Sequence, residues 1–482
     1  MDLANLAHQT AVLPTTRFPL TINGLTIHTP DKGEAINPAT GQTLASHALA
    51  DVSHADKAVV AAKHALKSWR EIPQAERQAM VAKLADTIAD RREAFIRLLT
   101  AEQGKPRAGA EWEIDGSIHW LREVAQQSLP PQPLAQQADP ALKVSVRRVP
   151  LGVVAAITPW NFPLLLAVWK IAPALVTGNT VIVKPSPFTP LCTLWFGELA
   201  QSVLPPGVLN VIAGGNELGQ FLAEHNDVDK VAFTGSTETG RKVMRSAASN
   251  LKRVTLELGG NDPAIVLPDV DVEQVAPKLF WAAFQNSGQF CVATKRLYVH
   301  DSIYDQLCAA LVRYASTVTV GDGSLSSSAL GPLQNRMQYE KVLSLIEDTR
   351  KAGHRFLLGG RPDEQPGYFV PVTLIDNPPD DARCVVEEAF GPVLPLLKFS
   401  TIDEVVERAN ATPFGLAASV WSADVNTADS IARRLAAGTV WINQVHAFSP
   451  SIPFAGQKQS GVGVENGDDG LAEYTSLQVI MK

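Results

Sequence analysis

The sequence predicts an α/β fold, and three observations predict it. Between Gly152 and Leu258, short β-branched runs ("GVVAAI", "TVIVK", "VLNVI", "KVAF", "VTLEL") alternate with segments of helix length, the pattern of a parallel sheet covered on both faces. A second block of the same texture runs from "PAIVL" at Pro263 through "KRLYVH" and a helical piece around Asp305 to Ala315, and on to "GTVWIN" at Gly438. At 482 residues the chain has room for about two or three domains with large cores.

The elements follow in order. From Ala55 to about Leu99, apolar residues recur at helical spacing with one break at Pro73, which predicts two amphipathic helices. A Gln- and Pro-rich stretch, "QQSLPPQPLAQQADPAL", then reads as an extended connection or arm rather than a core element. In the βαβ series, "LLLAVWKIAPALVTG", "PLCTLWFGELAQSV", "NELGQFLAEH" and "ETGRKVMRSAAS" predict the covering helices. The C-terminal "LAEYTSLQVIMK" ends in a strand-like piece with no partner nearby in sequence. With the Pro-rich arm, it is a candidate for pairing with another subunit.

Composition narrows the function. A net charge of -7, with no basic run, argues against a nucleic-acid or anionic-membrane partner and favours a small-molecule substrate. The four cysteines, Cys192, Cys291, Cys308 and Cys384, are far apart and form no CxxC; a reducing compartment without a structural metal site is expected. "MDLANLAHQT" lacks the basic and apolar regions of a secretory signal, and "FPLLLAVWKIAPALV" is cut by Lys170 and Pro173. A cytoplasmic protein is expected.

Candidate chemistry lies at strand ends and turns. Cys291, in "FQNSGQFCVATKR", sits in a Gly-containing turn rather than in a periodic apolar element; free cysteines are often inert, so this alone leaves packing and catalysis both open. Glu257 ends the strand "VTLEL" just before Gly259 and Gly260. It reads either as a carboxylate capping a turn or, desolvated with a raised pKa, as a general base. Asn161, between Pro159 and Pro163, is a turn residue or an amide aimed rigidly at a developing oxyanion. Lys184 and Ser186 end "TVIVK" at the same presumed edge, where a solvated lysine is the simpler reading. "FTGSTETG" offers a Gly-rich turn suited to a dinucleotide, although no GxGxxG follows the first strand.

Together and in this order, "PWNFP", "GNTVIVKPS", "FTGSTETG", "LELGG", "NSGQFC", "EEAFGP", "PFGLAASV" and "SGVGVENG" resemble the aldehyde dehydrogenase superfamily, from about Ile36 to the C-terminus. The resemblance implies an NAD(P)-dependent enzyme of the non-acylating, hydrolytic branch. Cys291 would be the nucleophile, Asn161 and the Cys291 N–H the oxyanion donors, and Glu257 the base that activates water. Glu465 and Lys170 would relay protons from that base; a surface salt bridge is the alternative for either. Lys184 would meet the adenosine ribose, Glu388 the nicotinamide ribose and Phe390 the nicotinamide ring. Trp160, Ser186, Gly235, Ser236 and Gly259 would complete the cofactor site.

The implied architecture is an aldehyde dehydrogenase fold: a Rossmann-like cofactor domain (1–123 and 144–256), an α/β catalytic domain (257–462) and a β oligomerisation arm (124–143 and 463–482). A homodimer or homotetramer is implied. Departures from the family pattern leave points open. Pro187 stands where many NAD-preferring relatives carry Glu, so NAD is expected with NADP still open, and Val464 replaces an Arg that ties oligomer contacts.

By the same resemblance the substrate tunnel is lined by Phe162, Leu166, Trp169, Phe290, Val292, His446, Phe448 and Phe454. A carboxylated semialdehyde would need a buried cation, and the loop "NQVHAFSPSIPF" offers only His446. Medium-chain aliphatic or aromatic aldehydes are therefore expected. A betaine-aldehyde-like or semialdehyde substrate, CoA as acyl acceptor, and a non-catalytic binding relative are the alternatives.

Overall fold

The computed structural model describes residues 13–129, 144–362 and 365–482. The expected arm stretch from 130 to 143 lies outside the described residues. Two sheets carry the fold.

The first has eight strands in the order Leu25–Ile27, Leu20–Ile22, Leu209–Val211, Thr180–Lys184, Val153–Ile157, Lys230–Thr234, Arg253–Glu257 and Gly461–Val462. Its five central strands are parallel. Every residue of Val153–Ile157 and Thr180–Lys184 is buried, which is why these runs read as continuously apolar rather than alternating. The chain winds outward from Val153–Ile157 in both directions, so the topological switch lies beside this strand. The crevice beyond its carboxyl end is where open α/β sheets bind ligands. Asn161, Ser186, Gly235 and Leu258 all follow strands at that edge.

The second sheet has seven strands in the order Arg355–Leu358, Thr373–Asp376, Val393–Phe399, Thr294–His300, Asp262–Val266, Ala417–Trp421 and Thr439–Ile442, all parallel except the first. Its two faces form separate cores, with Ile265, Tyr298 and Leu397 on one and Ala264, Val266, Leu297 and Val299 on the other, the period-two alternation of a sheet buried on both sides. Leu258–Asn261 alone joins the Arg253–Glu257 strand of the first sheet to Asp262–Val266 of the second. The carboxyl edge of one sheet thus faces the amino edge of the other.

One expectation is corrected, the number of helices. The stretch from Ala55 to Leu99 falls within three helices, Val52–Trp69, Gln74–Ala89 and Arg92–Gln103. The break at Pro73 is present, but a second falls at Asp90 and Arg91, where the chain reinitiates with neither Gly nor Pro. Ile88 on one side and Phe95 on the other remain buried in the same core, so apolar spacing runs on across the break. The C-terminal strand Thr475–Met481 has a partner in its own chain, antiparallel Val144–Pro150, from Thr475 opposite Pro150 to Met481 opposite Val144. Val144–Pro150 and Thr475–Met481 thus form a two-stranded ribbon, and Gly461–Val462 pairs with the first sheet. Among the described residues, no helix is long and apolar enough to cross a membrane.

Candidate active site

Cys291 lies between the helix Val272–Phe284 and the strand Thr294–His300. The chain reaches it through three consecutive left-handed residues, Asn286, Ser287 and Gly288, at φ 53°, 58° and 73°. A Cβ at Gly288 would stand 2.3 Å from the Gly391 carbonyl oxygen, so glycine is required there on both backbone and steric grounds. The turn is tied to the Asn161 loop. Asn286 Nδ2 donates to the Asn161 carbonyl at 3.1 Å, and Asn161 Nδ2 donates to the Gln289 carbonyl at 3.1 Å. That bond uses one amide hydrogen of Asn161 and leaves the other without a protein acceptor among the described residues.

Lys295 grips the same turn from the strand side. Its buried ammonium donates to the carbonyls of Cys291 at 2.6 Å and Phe290 at 3.0 Å, and pairs with Glu388 at 3.2 Å. Burial pushes the Cys291 thiol up to about 12; Lys295 opposes this, and the charges of Glu257, Asp262 and Glu388 add to it. The resting thiol is held neutral.

Glu257 lines the same pocket as Cys291. It is 5% exposed, and neither carboxyl oxygen has a hydrogen-bond partner among the described residues. Burial, then repulsion from Glu465, raises its pKa well above the ordinary carboxylate range, against an opposing effect of Lys170. A buried, unpaired carboxyl is costly, and groups perturbed in this way cluster at functional sites. Behind it Lys170 donates to Glu465 at 2.6 Å in an ion pair with side chains 0% and 1% exposed.

The cofactor candidates follow the crevice. Ser236 caps the helix Thr237–Ala247, accepting the Thr239 N–H at 3.2 Å, with Gly235 bonded to the Glu257 carbonyl at 3.0 Å. Lys184 is buried, has one long bond of 3.4 Å to the Pro185 carbonyl, and is pushed down to about 8 by burial. Ser186, also buried, accepts the Phe188 N–H at 3.3 Å. Glu388 accepts the Gly260 N–H at 3.3 Å, and a Cβ at Gly259 would meet its carboxylate at 2.5 Å. Phe390, held at φ 49°, packs edge-on against Trp160 with ring centroids 5.2 Å apart.

At the sulfur, Phe162, Leu166, Trp169, Phe290, Phe448 and Phe454 come together in one apolar pocket with Glu257. The rings pack on one another, Phe162 to Phe290 at 4.6 Å and Phe448 to Phe454 at 5.6 Å.

A family model described as the aldehyde dehydrogenase family matches residues 27–480. The chain belongs to the aldehyde dehydrogenase family. Aldehyde dehydrogenase LUC3 of Fusarium sp is 39% identical over 467 residues, which cover 96% of this chain and 98% of that protein. Aldehyde dehydrogenase 1A1 of Gallus gallus is 40% identical over 456 residues, 93% and 90% of the two chains. The NAD+ complex of an aldehyde dehydrogenase from Bacillus cereus matches with a TM-score of 0.95 at 38% identity and 98% coverage of each chain. Betaine aldehyde dehydrogenase from Staphylococcus aureus, also solved with NAD+, matches with a TM-score of 0.95 at 33% identity, covering 99% of this chain and 97% of that one.

This aldehyde dehydrogenase is an enzyme that uses NAD(P), and its crevice suits a dinucleotide. Lys184 is a buried cation without an anionic partner in hydrogen-bond contact among the described residues, and the glycine at 259 leaves the backbone bare beside Glu388.

Two tunnel candidates stand outside the pocket lining. Val292 turns into the core at 2% exposure. His446 stacks behind Phe290 at 4.5 Å, with its ring nitrogens 3.2 Å from the Val292 carbonyl and 2.9 Å from the Gln285 side-chain amide. Burial pushes this imidazole down to about 4. Neutral, it has one N–H, which either the Val292 carbonyl or the Gln285 Oε1 accepts. It has no charge to offer an anionic substrate.

Four lining residues were not foreseen: Trp112, Leu165, Thr234 and Leu258. Trp112 comes from the distant helix Arg107–Val124, where its exposed position in an amphipathic pattern gave no signal. Lys295 was also passed over, although its place four residues after Cys291 was the available cue.

Proposed function

We propose that the enzyme oxidises medium-chain aliphatic or aromatic aldehydes to carboxylic acids, with NAD as the preferred acceptor and water as the acyl acceptor. The observation that carries this reading is the apolar pocket at Cys291. Apart from Cys291, Glu257 is the one titratable group among its lining residues. Each CH2 buried there contributes roughly 0.8 kcal/mol. A carboxylated aldehyde would be stripped of water with no cation to meet it.

The residues act in sequence. The Cys291 thiol releases its proton to solvent as its sulfur attacks the carbonyl carbon, and the free amide hydrogen of Asn161 with the Cys291 backbone N–H receives the oxyanion of the thiohemiacetal. A bound nicotinamide supplies the acceptor for the hydride that leaves the substrate carbon. Glu257 then takes a proton from water, whose oxygen attacks the resulting thioester. The carbon–sulfur bond breaks, the acid departs and Cys291 regains its proton. The elevated pKa of Glu257 suits it to accept that proton near neutrality, and the Lys170–Glu465 pair beside it suits onward relay.

Lys184, Ser186, Gly235, Ser236, Gly259, Glu388, Phe390 and Trp160 are proposed to hold the dinucleotide. The first sheet would then form the cofactor unit, the second the catalytic unit, and the Val144–Pro150 ribbon the arm of a cytoplasmic homo-oligomer. Support for the arm comes from Leu477, Val479, Ile480 and Met481, which remain exposed on its second strand. The density of rings in the pocket favours a second reading, a quaternary-ammonium aldehyde held against aromatic faces.

NAD(P)H formation across an aldehyde panel, with NAD and NADP in parallel and no CoA, tests these readings together. The proposal expects kcat/KM to rise from propanal to octanal. Highest activity on succinic semialdehyde would overturn the pocket assignment, and highest activity on betaine aldehyde would favour the second reading. A requirement for CoA would overturn hydrolysis through Glu257.

A further inference from the structure

We propose that the buried Lys105–Glu113 ion pair is the positioning element that aims Asn161 at the oxyanion, an inference that rests on the oxyanion role of Asn161 proposed above. The side chains of Lys105 and Glu113 are 1% and 0% exposed and meet at 2.5 Å. Neither lines the pocket at Cys291.

The pair touches three parts of the site. Lys105 Nζ donates to the Asn161 carbonyl at 2.9 Å and stands 4.0 Å over the ring of Phe162, which lines the pocket. The other oxygen of Glu113 accepts the N–H groups of Leu164 at 3.0 Å and Leu165 at 3.3 Å. Those groups open the helix Leu165–Val176, which carries Leu166, Trp169 and Lys170. Asn161 is thereby held by its carbonyl from two sides, by Lys105 and Asn286, while its side chain is held by Gln289.

Lys105 itself has little freedom. Gly104 lies at φ 91°, and Cβ atoms at Gly323 and Gly331 would fall 2.5 Å from the Lys105 carbonyl oxygen and 2.1 Å from that of Gly104. The Gly331 carbonyl also accepts the Ser287 hydroxyl at 2.7 Å. The backbone that fixes Lys105 is therefore the backbone that anchors the Cys291 turn, and the pair sets the amide of Asn161 relative to the sulfur. A buried ion pair is weak evidence for stability, since apolar residues of equal volume often serve as well. Geometry at the reacting atoms is the stronger reason for this one, because oxyanion donors act only when aimed in advance.

The test is a double-mutant cycle of Lys105→Met and Asn161→Ala in the full-length enzyme, reading kcat, KM for NAD and KM for one good aldehyde. Lys105→Met is expected to lower kcat about 10- to 100-fold with KM for NAD unchanged, and to cost less than about threefold once Asn161 is already Ala. Equal losses in both backgrounds, or an unchanged kcat, would overturn the positioning role and leave the oxyanion role of Asn161 standing. An unchanged kcat in Asn161→Ala alone would overturn both. Should Lys105→Met not fold, Lys105→Arg is read in its place. It retains the charge with a planar fork that does not reproduce the three contacts of the ammonium, so the same coupled loss is expected and an additive one overturns the proposal.

Discussion

Lys170 and Glu465, 295 positions apart in sequence, form an ion pair of 2.6 Å that is closed off from solvent behind Glu257. One comes from the helix that follows the first strand of the βαβ series, the other from the segment that returns to the first sheet near the C-terminus. The backbone of Glu465 is bonded to Phe454 in both directions, at 2.7 and 2.8 Å. The proposed relay and the substrate pocket thus share one short stretch of chain.

Glu465→Gln should move the acid limb of the kcat–pH profile to lower pH. The Glu465 charge raises the pKa of Glu257 and Lys170 lowers it. Removing the first leaves the second, so Glu257 becomes an active base at lower pH. The variant also leaves Lys170 without its partner, at a cost of about 3–5 kcal/mol in denaturant unfolding.

Glu257→Gln should slow steady-state turnover by about 10²–10⁴-fold while retaining one equivalent of NADH per active site in the first turnover. Stopped-flow absorbance separates the two phases; loss of the burst would place Glu257 before thioester hydrolysis. Stability carries a second signature. The folded-state pKa of Glu257 is raised, so its contribution is fully present below the ordinary Glu pKa and is lost as pH rises through the folded value. The Tm of Glu257→Gln minus that of the parent should therefore grow from pH 5 to pH 9.

Alkylation of Cys291 in the cofactor-free enzyme should accelerate about tenfold per pH unit between pH 7 and pH 10, because only the thiolate reacts and burial holds the thiol up to about 12. Iodoacetamide labelling read by peptide mass follows this residue separately from Cys192, Cys308 and Cys384, which are buried. A plateau near pH 8 would mean that the sulfur is already activated in the free protein.

Lys295→Met should raise KM for NAD more than KM for aldehyde, since Glu388, proposed to hold the nicotinamide ribose, loses its partner at 3.2 Å. The Cys291 carbonyl loses its donor in the same change, while that of Phe290 keeps the Ala293 N–H at 3.1 Å; leaving the one buried group unpaired costs about 1–3 kcal/mol. Initial-rate kinetics and a urea titration measure the two effects.

Gly288→Ala should fold poorly or not at all at 37 °C. The φ of 73° is strained for alanine, and the clash at 2.3 Å is with backbone that has no rotamer to change. Wild-type expression and activity in this variant would show that the turn before Cys291 is looser than drawn.

Local pattern made much of this legible. Buried parallel strands leave runs such as "TVIVK", and strand-end turns leave Gly, Asn and Ser, so the crevice with Asn161, Ser186, Gly235 and Glu257 along its edge could be read before any coordinates. The break at Asp90 was illegible because its helices bury one shared apolar face and no breaker residue marks the join. The partner of Thr475–Met481 was equally hidden, since strand pairing depends on register between segments more than 300 residues apart and not on either segment alone.

The chain's own residues determined the fold class, the family, and the identity of Cys291, Glu257 and Asn161 as candidates, because each depends on residue type within a few neighbours. Tertiary structure decided which of them meet. It enclosed Glu257 with no hydrogen-bond partner among the described residues, neutralised His446 against Val292 and Gln285, brought Trp112 into the pocket at Cys291, and set Lys105 under Asn161. Burial, desolvation and hydrogen-bond competition are properties of an enclosed volume, and that volume exists only after distant segments have packed.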